Sequence, residues 1–113
     1  MSRFSGQSLI EIRELWLNEL DEKLEELENC GINVAEAEKS YRIALSKKLL
    51  NFTDVRAGSV RSDLARGDKE VAELKLERDT SQVLYDSCQQ SIYRIKTEIK
   101  IIETDILNER TNR

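Results

Sequence analysis

Between Val71 and Ile106 the side chains return in alternating steps of three and four. Val71, Leu74, Tyr85, Cys88, Ile92, Ile95, Ile99, Ile102 and Ile106 occupy the line, and Arg78 and Ser81 fill its two polar places. A seven-residue rhythm of this kind puts the whole series on one face of a helix that packs against another helix along its length. The spacing predicts one helix from about Asp68 to Asn108. Asp68 is placed to cap it, and Glu70 adds negative charge to the first turn. The chain contains no proline, so long segments can stay helical without the usual breaker.

The first half repeats the pattern. Leu9, Ile12, Trp16, Leu20, Leu24 and Leu27 form an early stripe, and Val34, Tyr41, Leu45, Leu49 and Phe52 continue it. The apolar phase survives passage through Gly31, which favours one long helix kinked near residue 31. The competing reading is a break, with Gly31 closing one helix and Asn33 and Glu36 forming a capping box for the next. Between the arms, Ser59 and Gly67 bracket Val60, Leu64 and Ala65. That spacing predicts a short helix over 60–66, capped by Ser59, with Val60 and Leu64 as its plug.

All 113 residues therefore read as one all-α domain: a first arm over 8–52, a tip over 53–67 and a second arm over 68–108. Two arms of nearly equal length favour a long, coiled-coil-like antiparallel hairpin. Its core candidates are Trp16, Leu20, Tyr41, Leu45, Leu74, Tyr85, Ile92, Ile95, Ile99, Ile102 and Ile106. Such a hairpin brings Cys30 near Cys88 as small core thiols rather than as a disulfide framework. Further apolar residues, among them Leu15, Leu17, Ile43, Leu50, Leu76, Val83, Leu84 and Ile101, broaden the stripe. They predict dimerisation into a four-helix bundle.

Charge is segregated along the chain. Residues 11–38 hold ten acids against two bases, whereas residues 39–69 hold eight bases against three acids, inside a chain of net charge −4. Lys47, Lys48, Arg56, Arg61, Arg66 and Lys69 are the candidates for docking an acidic partner at a basic tip. A homo-oligomer and an interaction with another protein are expected. Nucleic acid is the second choice, because acidic arms repel a duplex running along them.

The chemistry of catalysis is sparse. Histidine is absent, which removes the commonest acid–base group and metal ligand near neutral pH. The carboxylates of "NELDEKLEELEN" fall at helical surface spacing, and no phosphate-binding glycine loop is present. No enzyme activity, cofactor or metal is expected. No stretch approaches the roughly 18 apolar residues of a membrane span, so no membrane association is expected either.

The segments "AEAEKSYRIALSKKLL", "GSVRSDLARGDKEVAELKLERD" and "LYDSC" resemble small uncharacterised helical-hairpin proteins encoded by bacteriophages and prophages of Gram-positive bacteria. The resemblance runs from Ala35 to Leu107 and is tightest at Leu64-Ala65-Arg66-Gly67-Asp68. It implies a phage-derived accessory protein made with replication or recombination genes, and it implies no catalytic residue. With no export or membrane-spanning stretch in the sequence, the cytoplasm of the bacterial host is the expected location. Three roles remain open on this reading: a protein-interaction or assembly factor, a nucleic-acid accessory factor contacting DNA through the basic tip, and a structural spacer in a virion or assembly complex.

Overall fold

The computed structural model describes residues 6–52 and 57–111. Helix α1 spans Gly6–Asn51, α2 spans Gly58–Arg66 and α3 spans Lys69–Thr111. The described residues contain no strand, and none of their helices is long and apolar enough to cross a membrane. α1 passes through Gly31 without a break. The chain packs as two compact units, one combining α1 up to Glu28 with α3 from Ser87, the other spanning Asn29–Asp86.

In the first unit α1 and α3 run antiparallel, with Leu9 packed against Ile102 and Ile106, and Ile12 and Trp16 beside them. Cys88, Ile92, Ile95 and Ile99 are also buried. These are the positions of the seven-residue line, so apolar burial along one α3 face holds this unit together. Leu20 is half-buried. Leu24 stands 44% exposed, contrary to its place in the expected stripe. The seven-residue span from Leu20 to Leu27 can be divided at 23 or at 24, and the structure divides it at Lys23. The Lys23 carbonyl accepts a hydrogen bond from Cys88 Sγ at 3.5 Å, and its ammonium reaches Glu26 at 3.0 Å. The ammonium's hydrogen bond to the Glu26 carboxylate raises the Lys23 pKa.

In the second unit α1 and α3 are again antiparallel, Glu38 facing Arg78 and Lys48 facing Asp68. Ala37, Tyr41, Ala65 and Val71 are buried, with Leu45, Leu74 and Tyr85 half-buried. Neither cysteine is in a disulfide; Cys88 is buried and Cys30 half-buried.

The short helix forms in the expected segment but in a different phase. It starts at Gly58 with Ala57 as its N-cap and no capping side chain; Ser59 therefore lies inside it. Val60 and Leu64 are exposed, and Ala65 is buried. The inward line is Arg61, Ser62 and Ala65, one residue on from the expected plug. Small Ser and Ala side chains let the backbone of α2 approach its neighbours more closely than Val and Leu would allow. Gly67 ends the helix in a right-handed conformation, its N–H donating to the Asp63 carbonyl. Asp68 caps α3 as expected: its carboxylate accepts the Val71 N–H at 3.2 Å. That bond and the Lys48 ammonium at 3.4 Å hold the carboxyl below the usual aspartate range.

Candidate anion-binding cleft

Within the second unit, α1, α2 and α3 each contribute an arginine to one open cleft of about 380 Å³. Arg42 comes from α1, Arg66 from α2 and Arg78 from α3, arranged around Tyr41 with Leu45 and Ser46 on one side. Glu38 is the only carboxylate in the lining. It spreads its charge over two arginines, one oxygen meeting Arg42 Nε at 2.6 Å and the other Arg78 Nε at 3.5 Å.

Arg78 sits where the seven-residue line calls for an apolar side chain. Its guanidinium lies over the Tyr41 ring, 4.4 Å from the centroid, so the seam position is filled by a cation–π contact instead of aliphatic packing. Nη2 meets the Asp79 carboxylate at 3.1 Å. Partial burial works against the charge of Arg78, but Asp79, Glu38 and Tyr41 more than offset it and raise its pKa. The cation is thus fixed in place as well as charged. Arg42 is anchored to Glu38 one turn back on the same helix, while Arg66 is exposed and enters no ion pair among the described residues. Two braced guanidinium groups and one unengaged one offer planar forks of donors suited to a carboxylate or phosphate.

The tip residues named from sequence do not gather as a set. Arg66 lines the cleft. Lys48 is occupied by Asp68, Arg61 is half-buried on the inner side of α2, and Lys47 and Lys69 are exposed. Arg56 lies outside the described residues. Arg42 and Arg78 were missed as site residues, although an arginine interrupting an apolar line is itself a sign that the seam changes character there.

Among the described residues no three Asp, Glu, Cys or His side chains converge as they would around a metal ion. No protein-family model, no curated protein and no solved structure matches the chain.

Proposed function

We propose that this protein is a non-enzymatic helical interaction factor, a phage-derived accessory protein whose arginine cleft receives a carboxylate-rich segment of a phage or host protein. The convergence of Arg42, Arg66 and Arg78 from three helices on one cleft, against the single facing carboxylate of Glu38, carries this reading. The size of the cleft suits one or two acidic side chains. Glu38 in the lining and Asp79 beside Arg78 disfavour a continuous polyanion, which makes nucleic acid the second reading.

Fluorescence anisotropy separates the readings. A glutamate-rich peptide and a single-stranded oligonucleotide of equal charge are titrated into the full chain at several salt concentrations. The peptide is expected to bind more tightly, and Arg66→Ala combined with Arg42→Ala to weaken it by about tenfold or more, as loss of charge-assisted hydrogen bonds does. Tighter oligonucleotide binding with a steep salt dependence would favour the DNA accessory role. Unchanged peptide binding by the double variant would remove the cleft from the mechanism.

A further inference from the structure

The outer face of α1 in the second unit carries a pattern of its own. Ile32 and Ile43 are 50% and 45% exposed, and the step of eleven residues from one to the other, about three helical turns, brings both to one line of the helix. Glu36 and Lys39 lie between them on that face, both exposed, and among the described residues neither enters an ion pair. Read outward from the midpoint between Ala37 and Glu38, the face is self-complementary. Glu36 and Lys39 stand at equal distances on either side, then Ile32 and Ile43, then Asn29 and Ser46. Beyond the midpoint the charge also changes sign: 39–51 contains Lys39, Arg42, Lys47 and Lys48 and no acid, while 29–38 contains Glu36 and Glu38 and no base.

We infer that this face binds a second copy of the chain, with the two α1 helices antiparallel about a two-fold axis at that midpoint. In this arrangement Ile32 of each copy meets Ile43 of the other, and each Glu36 meets a Lys39. A closed two-fold interface requires this correspondence, because every contact occurs twice with the partners exchanged. Parallel helices in the same register would set Glu36 on Glu36 and Lys39 on Lys39, so the charges specify the direction as well as the partner. Four isoleucines over a few turns make a small apolar centre, and the dimer is expected to be of micromolar strength. Its centre, Ile32, Glu36, Lys39 and Ile43, shares no residue with the lining of the arginine cleft, which meets the face only at Ser46, and the dimer does not depend on what that cleft binds.

Sedimentation velocity of the full chain over a concentration series is the test. A monomer–dimer equilibrium is expected. Lys39→Glu, which sets carboxylate against carboxylate, is expected to weaken it by about tenfold or more, and Ile43→Asp to do the same by removing the apolar centre. Adding Glu36→Lys to Lys39→Glu exchanges the charges on both copies and is expected to restore the dimer. Both positions are exposed, so helix content by circular dichroism should remain that of the unaltered chain. Peptide binding at the cleft, measured on the monomeric variants, should be retained. A chain that stays monomeric across the series would overturn the inference. So would a dimer indifferent to Ile43→Asp and Lys39→Glu, or a double exchange that fails to restore association.

Discussion

Gly31 offers the sharpest check on how the long helix is built. It lies inside α1, and no described glycine has a positive φ, so its backbone is one that any L-residue adopts. A methyl added there would meet Tyr85 Cε2 at 3.5 Å and Cδ2 at 3.9 Å, which is ordinary van der Waals distance. It would also enter a cleft of about 200 Å³ lined by Gly31, Val34, Gln82 and Tyr85. Gly31→Ala should therefore stabilise the protein through two effects. Removing glycine from a helix interior contributes about 0.8–1.0 kcal/mol. Burying part of a methyl against the tyrosine ring adds roughly 0.3–0.5 kcal/mol at 25 cal/mol per Å².

The expected sum is about 1–1.5 kcal/mol. In a chain of this size that raises Tm by about 4–6 °C and moves the urea midpoint upward by roughly half a molar. Thermal and urea melts followed by helical circular dichroism measure both. Gly31→Pro, which removes an N–H and clashes with the preceding turn, should lose about 3 kcal/mol or more. A lower midpoint for Gly31→Ala would refute the reasoning. It would mean that residue 31 needs the conformational freedom of glycine, as a helix break between Gly31 and Asn33 demands.

Neighbouring residues on α3 should separate cleanly. Ile102 is 2% exposed and Ile101 is 43% exposed, so Ile102→Ala should cost about 2–4 kcal/mol and Ile101→Ala well under about 1 kcal/mol, as urea midpoints will report. Ala65 is fully buried on α2, and Ala65→Leu should destabilise by about 1–3 kcal/mol through overpacking, while Leu64→Ala on the exposed side should be nearly neutral in the same assay. The Asp68 carboxyl is held below its ordinary range by the Val71 N–H and then by Lys48. Its contribution to stability is therefore complete above the unfolded-state value near pH 4 and lost as pH falls through the lower folded-state value. Asp68→Asn should flatten that part of the acid dependence in melts taken across the window.

The α3 seam was legible residue by residue because only one phase of that helix carries Cys88 and the isoleucines 92, 95, 99, 102 and 106. Where two phases are nearly equivalent, sequence could not choose between them. Leu24 and Lys23 both divide the span between Leu20 and Leu27, and the partner helix selects the lysine backbone as an acceptor for Cys88. The pairs Val60–Leu64 and Arg61–Ala65 share the same four-residue spacing, and hydrophobicity alone points to the wrong one. Ala65 is chosen by the closeness of the approach, which is a property of the packed helices. The arginine cleft was hidden for a related reason. Arg42, Arg66 and Arg78 are 24 and 12 residues apart in the chain, and only the antiparallel pairing of α1 with α3, with α2 beside them, makes them neighbours.

The same α3 helix meets its partner in two chemical styles, and this has a consequence for dynamics. From Cys88 to Ile106 every seam position is buried and apolar apart from the thiol. From Leu74 to Tyr85 the seam holds Leu74, Arg78, Ser81 and Tyr85, all only half-buried. Less apolar area is buried there, and a fixed guanidinium replaces aliphatic packing, so the second stretch should open at lower free energy than the first. Native-state hydrogen exchange is expected to show stronger protection at the amides of Ile95, Ile99 and Ile102 than at those of Arg78, Ser81 and Gln82. A glutamate-rich peptide seated on Arg42, Arg66 and Arg78 would cross-link α1, α2 and α3 within the weaker unit, and should raise protection around Arg78 while leaving Ile99 unchanged. Equal protection along the whole helix would show that the polar seam costs nothing in local stability, and would count against reserving it for a ligand.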